Sequence, residues 1–269
     1  MPLIAMVSAG GAPGTTTAAL ALTLASSTPA LMAECDPDGG SVLAGLFAGH
    51  FSADRGLLKV AVRISEDRVR ADDVLREQTL PLDEAGERLV LPGPADPFQA
   101  QAITPAAWEQ IARLLAGQPL EVIADVGQVR AVGYPFPVLA AARLVVFVLR
   151  PTLRQVVAAR PRLEAIRHAL GDDTPLGLCV IGRGPHSISE IRGALGDRFQ
   201  VVVQLPHDER AAGRLSDGTV RRRDIRTSDL MVQARSSARA LQAAINQAPA
   251  RWAYEQPSVM ASARGEQWA

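Results

Sequence analysis

Apolar residues recur along this chain in short dense runs separated by polar turns. Leu3 to Val7, Ala30 to Cys35, Arg88 to Leu91, Leu120 to Ala124, Leu144 to Leu149, Leu176 to Ile181 and Gln200 to Leu205 have the length and near-continuous hydrophobicity of strands buried on both faces. Helical signals lie between them. Ala18 to Leu24 follows a glycine turn, and residues 41 to 48 and pieces through about residue 77 also read as helical. Thr104-Pro105 opens a helix that carries Trp108, Ile111, Leu114 and Leu115 on one face, with proline at the first position where its missing N–H does no harm. Further helices are expected after Thr152 to about Leu170, from Ser187 to Leu195 and from about Ser228 to Asn246. Strands alternating with helices predict an α/β fold, with a mainly parallel central sheet and helices on both faces. Residues 1 to 247 make up this domain, and residues 248 to 269 read as a loose C-terminal tail whose apolar positions do not fall at helical spacing.

Ligands of such sheets bind beyond the carboxyl ends of the strands, and three motifs lie at such ends. The first is Ser8-Ala9-Gly10-Gly11-Ala12-Pro13-Gly14-Thr15-Thr16-Thr17. Strand, glycine turn and helix in that order aim backbone N–H groups at an anion, and the helix N-terminus adds about half a positive charge. The full phosphate-loop pattern, G-x-x-x-x-G-K-[ST], adds a lysine for the β/γ-phosphates and a hydroxyl for Mg²⁺. Aligned to it, Ala9 takes the first glycine, Gly14 the second, Thr15 the lysine position and Thr16 the magnesium hydroxyl. Gly10, Gly11, Ala12, Pro13, Gly14, Thr15, Thr16 and Thr17 are thus the candidate cradle, and ATP or ADP with Mg²⁺ the candidate cofactor. Removing the ammonium from a transition state built on charge stabilisation costs several kcal/mol, about a thousandfold in rate. Binding is expected; fast hydrolysis is not.

The second motif is Glu34-Cys35-Asp36-Pro37-Asp38-Gly39-Gly40. Carboxylates beside a phosphate loop hold a magnesium-bound water or orient an attacking one, which makes Glu34 and Asp36 the catalytic candidates. An ordinary Asp-Pro turn has the same sequence. The third is Val122-Ile123-Ala124-Asp125, an apolar strand ending in an aspartate that would hold magnesium together with Thr16. A solvated strand end would look alike.

Composition narrows the reading. With 48% hydrophobic residues over 269 positions the chain can bury a full core, and 28 basic residues balance 28 acidic ones, so no global field favours nucleic acid or an anionic membrane. Lys59 is the only lysine, the one ammonium that could reach the loop from elsewhere. Cys35 and Cys179 lack metal-like spacing, His50, His168, His186 and His207 are scattered, and no secretory leader is expected. A reducing, cytoplasmic setting is expected.

The order of these pieces resembles the ParA/MinD superfamily of deviant P-loop ATPases, with its S-G-K-G-G-V-G-K-T-T loop, D-x-D-P-x-G element and hhhD strand. Within it the chain is most similar to the CpaE/TadZ and septum-site-determining branch, through Leu89 to Pro97, Ile103-Thr104-Pro105, Val148 to Thr152, Ser189-Glu190-Ile191 and Leu205 to Ala212. The family's signature lysine corresponds to Gly10 and its loop lysine to Thr15; Glu34 replaces an aspartate. The resemblance implies a homodimer whose association responds to nucleotide, adenine near Gly182-Arg183 and Pro206, and a protein partner in a polar, pilus or secretion, or septal assembly. Alternatives are a scaffold with an empty site and a DNA-partition ATPase using Arg221-Arg222-Arg223. That cluster is interleaved with Asp217, Asp224 and Asp229, which favours a solvated face over phosphate binding. MinD-type proteins end in a basic amphipathic helix that lies on membrane. Only Arg251 and Arg264 are basic in the tail here and Pro257 interrupts it, so no direct membrane anchor is expected.

Overall fold

The computed structural model describes residues 2–10, 12–52, 55–65, 70–130, 134–218 and 225–247. In chain order the elements are β1 (Leu3–Ser8), α1 (Thr15–Ala25), β2 (Ala30–Glu34), α2 (Leu57–Ile64), α3 (Ala71–Gln78), β3 (Leu80–Pro81), β4 (Arg88–Leu91), α4 (Pro97–Gln101), α5 (Pro105–Ala116), β5 (Glu121–Gln128), α6 (Phe136–Ala141), β6 (Leu144–Leu149), α7 (Leu153–Leu170), β7 (Leu176–Ile181), α8 (Ile188–Ala194), β8 (Val201–Leu205), α9 (Glu209–Asp217) and α10 (Asp229–Gln247). The strands form one sheet in the order β3-β4-β2-β5-β1-β6-β7-β8. Every pairing is parallel except the short β3 against β4.

The continuous apolar runs are explained by layers on both faces. In β1, Leu3, Ala5 and Val7 enter one core, whereas Ile4 and Met6 enter the other, as a two-residue side-chain period requires. α1, α9 and α10 cover the Ile4 side; α2, α3, α5, α6, α7 and α8 contribute to the Leu3 side. Local signals start the helices as expected. Thr104 Oγ1 accepts from the Ala107 N–H at 3.2 Å ahead of Pro105, and Ser187 and Glu190 form a reciprocal capping box on α8.

Two expected elements differ. Residues 42–49 form consecutive turns instead of a helix, with Phe47 N–H donating to Val42 C=O and Gly49 N–H to Leu43 C=O. The cause is close packing on α9: a Cβ at Gly45 would lie 2.0 Å from the Ser216 carbonyl oxygen. The strand expected to stop at Asp125 runs on to Gln128, because Ser8 pairs with Gln128 across a register shift and the Val129 N–H donates to Ser8 C=O. Gly127, at φ 68°, absorbs that irregularity. Since β1 lies between β5 and β6, the end of β1 opens at the middle of the sheet edge, where the ends of its parallel neighbours also gather.

Candidate functional site

Among the described residues of the loop after β1, Gly10 at φ 112°, Ala12 at φ 46° and Gly14 at φ 105° are left-handed. Such angles are readily adopted by glycine and cost an alanine roughly 1 kcal/mol or more. They fold the chain back from the sheet into α1. Gly14 is the N-cap of α1 and no side chain among the described residues caps the helix, which leaves its first N–H groups without an intrahelical partner. Nothing among the described residues lies within 4 Å of a Cβ placed on Gly14. Thr15 is 7% exposed, and its Oγ1 is enclosed without a hydrogen-bond partner; Pro13 is buried and Thr17 half-buried beside it. Gly11 lies outside the described residues.

Thr16 and Asp125, the candidate magnesium residues, meet through a side-chain hydrogen bond. Asp125 is 2% exposed and also accepts from the Gly127 N–H at 3.1 Å. Burial pushes its carboxyl up to about 6, against the Thr16 bond, with the Glu34 charge adding to the rise. Asp36 is pushed up to about 7, by burial first and then by Asp125, while Arg130 opposes the shift. A Cβ on Gly127 would come within 2.0 Å of Asp36 Oδ2, so Asp36 lies on the Gly127 backbone. Asp36 and Asp125 therefore share one corner with Thr16. The neighbouring Asp38 is ion-paired with Arg130.

Glu34 is placed differently. It is 3% exposed, and Oε1 accepts from the N–H groups of Ser41 at 2.7 Å and Val42 at 3.1 Å, while Oε2 accepts from Gly93 N–H at 3.1 Å. Burial raises its carboxyl, and these three bonds oppose that rise. Both oxygens are thus engaged by backbone. Gly40 and Gly93 pack around the carboxylate, each too close for a Cβ. The extra methylene of glutamate lets one side chain clamp the turn after β2 to the turn after β4.

Arg183 and Pro206, the expected base-side residues, come together across a groove of about 750 Å³ that also involves Gly182, His207, Asp229 and Val232. The groove runs between the ends of β7 and β8 and the first turn of α10. Lys59 is exposed on α2, which packs on α3 and α5, and no hydrogen bond or ion pair ties it to the described residues of the phosphate loop. The cation that touches the loop is an arginine: Arg150 Nε donates to Pro13 C=O at 3.5 Å. Gln128 lies against Gly10, where a Cβ would be 2.8 Å from Gln128 Nε2. Gln128, Gly127 and Arg150 were not singled out from sequence as site residues, although each stands at or just past a strand's carboxyl end. The Arg221-Arg222-Arg223 cluster and the tail from residue 248 lie outside the described residues. Among those residues, no helix is long and apolar enough to cross a membrane.

No protein-family model matches the chain, and no curated protein matches it in sequence. Solved structures do match it in fold. The ParA family ATPase from Chlorobium tepidum TLS superposes with a TM-score of 0.74 at 18% identity, over 89% of this chain and 98% of that one. A chain of the MinC:MinD cell division protein complex from Aquifex aeolicus gives a TM-score of 0.70 at 15% identity, covering 90% of this chain and 96% of its own. The septum site-determining protein MinD complexed with Mg-ADP, from Pyrococcus horikoshii OT3, gives 0.67 at 13% identity, covering 89% and 95%. The eight-stranded, mainly parallel sheet and its helical layers are the α/β fold of the ParA- and MinD-type ATPases.

Proposed function

We propose that this chain is a degenerate ParA/MinD-like protein of the CpaE/TadZ kind, which binds ATP or ADP with Mg²⁺ and positions or regulates a cellular assembly through nucleotide-sensitive dimerisation, with weak or no hydrolysis. The observation that carries the reading is the corner at which an uncapped helix N-terminus, the Thr16 hydroxyl and the paired Asp36 and Asp125 converge. The residues present fit the cofactor. The N–H groups of Gly14 to Thr17 would hold phosphate, Thr16 and Asp125 would hold Mg²⁺, and the enclosed, unpaired Thr15 hydroxyl would gain a partner if the loop opened around a phosphate oxygen. Mg²⁺, when bound, neutralises charge on the phosphates and fixes their orientation. Arg183 and Pro206 would flank the base, Arg183 by stacking.

The chain's own groups bind, orient and desolvate here; the loop offers no ammonium to a leaving phosphate. Asp36, with a carboxyl raised to about 7, can hold a proton or accept one from water near neutrality, and it is the carboxylate next to Asp125. Glu34 shapes the corner through the backbone. A nucleotide acts as a switch to the extent that it binds the dimer more tightly than the monomer. By resemblance, the partner is a pilus or secretion component, or a septal or polar one.

Calorimetry with ATP and ADP in the presence of Mg²⁺, combined with sedimentation, tests the reading. Heats of binding and a nucleotide-dependent change in association state are expected. No heat and an indifferent association state would leave a scaffold with an empty site. Phosphate release by wild type and Asp36→Ala separates slow turnover from none: a lower rate in the variant supports Asp36 as the water-orienting carboxylate, and equal rates remove it from that role.

A further inference from the structure

We infer that Arg150 supplies the positive charge that the loop lacks, reaching the phosphates from the end of β6 in place of a lysine at position 15. The inference rests on the nucleotide-binding reading above and adds to it the residue on which phosphate affinity depends.

Placement comes first. β6 pairs directly with β1, and Ser8 lies opposite Val148, so Arg150 emerges next to the phosphate loop. Its backbone is fixed on both sides. The Arg150 N–H donates to Gln155 Oε1 at 2.9 Å, and its carbonyl accepts from the Thr152 N–H at 2.8 Å. The side chain is half-buried and turned onto the loop, where Nε donates to the Pro13 carbonyl at 3.5 Å. That contact is long for a hydrogen bond to a neutral carbonyl, and exchanging it for phosphate oxygens strengthens the interaction.

The charge balance comes second. Three arginines lie near this edge, at the ends of β5, β6 and β7. Arg130 is ion-paired with Asp38, and Arg183 lies at the groove beyond β7. Arg150 is in none of the ion pairs recorded among the described residues. A half-buried guanidinium with no carboxylate partner among the described residues, held next to an uncapped helix N-terminus, concentrates positive charge at one point.

An independent observation concerns the first residue of α1. Thr15 occupies the position a lysine fills in the full pattern, and its hydroxyl is enclosed without a partner. A buried hydroxyl left unpaired calls for an acceptor or donor. A phosphate held by Arg150 and the first N–H groups of α1 would provide one as the loop shifts to uncover the hydroxyl. Arginine's planar fork suits two phosphate oxygens at once, whereas lysine offers a single point charge, so the change alters the geometry of recognition as well as its origin.

The test titrates the full chain with Mg-ATP, Mg-ADP, AMP and inorganic tripolyphosphate, for wild type, Arg150→Ala and Arg150→Lys. The expected result is that Arg150→Ala loses about tenfold to a hundredfold in affinity for ATP and tripolyphosphate. The loss should shrink with phosphate number, become smaller at high salt and be partly rescued by lysine, with the ligand-free melting temperature unchanged. If wild type binds ATP and Arg150→Ala binds it equally well, the inference falls while the nucleotide reading stands. If Arg150→Ala and Arg150→Lys lose binding equally and both lower the ligand-free melting temperature, Arg150 is a brace for Pro13 and the inference falls. If wild type binds neither ATP nor tripolyphosphate, both fall together.

Discussion

Glu34 stands at a junction where catalysis and architecture make opposite predictions, so changing it is informative. In Glu34→Ala, the N–H groups of Ser41, Val42 and Gly93 lose their acceptor; those of Val42 and Gly93 are buried and that of Ser41 partly so. A buried donor left unpaired costs about 1–3 kcal/mol, and two of them set a gross loss of about 2–6 kcal/mol. Removing a buried carboxyl also removes its desolvation penalty, and a water entering the space left behind can satisfy part of the rest. A net loss of about 3 kcal/mol is expected. Glu34→Gln keeps the oxygen that Ser41 and Val42 share but turns an NH₂ toward the Gly93 N–H, for a loss of about 1–3 kcal/mol. Urea unfolding of both variants, with the slope checked for constancy, gives the values directly. For a chain of this size each kcal/mol corresponds to about 2–4 °C in melting temperature. Both variants falling within about 0.5 kcal/mol of wild type would refute the clamp. Should phosphate release be measurable and fall in Glu34→Gln without any loss of stability, Glu34 would be acting on water instead.

Two other expectations follow from the same corner and its surroundings. Asp36 and Asp125 are raised to about 7 and about 6 in the fold, against about 4 in an unfolded chain. Between pH 4 and 7 the native state therefore binds more protons than the unfolded one, and stability falls as pH rises through that window. For Asp125 alone, a shift to about 6 corresponds to about 3 kcal/mol. Melting curves from pH 4.5 to 8 should show the decline, with Asp36→Asn flattening it; a flat wild-type profile would reject the buried pair. Gly45→Ala should cost about 1–3 kcal/mol as an overpacking change, because its Cβ would meet the Ser216 carbonyl oxygen at 2.0 Å. Urea unfolding and limited proteolysis of residues 42–49 measure it, and wild-type behaviour in both would show that the contact relaxes without strain.

The strands were legible because a parallel sheet covered on both faces is apolar at every position, so Leu144–Leu149 and Leu176–Ile181 stand out at their true bounds. The starts of α5 and α8 were readable from Thr104 and Ser187, whose capping is local chemistry. Residues 41 to 48 looked helical because their apolar spacing suits a helix, whereas the structure there is decided by Gly45 and Gly218 meeting across distant sequence. α7 runs through Pro161 without ending, since its packed face outweighs one missing donor. At the site, the loop, Thr16, Asp36 and Asp125 were visible as a known order of short motifs. The three N–H bonds to Glu34 were not, because their donors come from two turns far apart in sequence. Nor was Arg150, whose contact with Pro13 depends on β6 lying beside β1 and not on any spacing along the chain.

The rim that follows β6, β7 and β8 is stitched by glycines. A Cβ on Gly184 would fall 2.5 Å from the Pro151 carbonyl oxygen, and one on Gly182 would fall 2.9 Å from His207 Cβ. At Gly184 main chain abuts main chain, and at Gly182 it abuts the first side-chain carbon of His207, so neither glycine can take a larger residue without the rim shifting. The spacing between the main chain at Arg150 and at the Arg183–Pro206 groove is held by these close contacts, which leaves the two arginine side chains to adjust their reach to a guest that touches both ends.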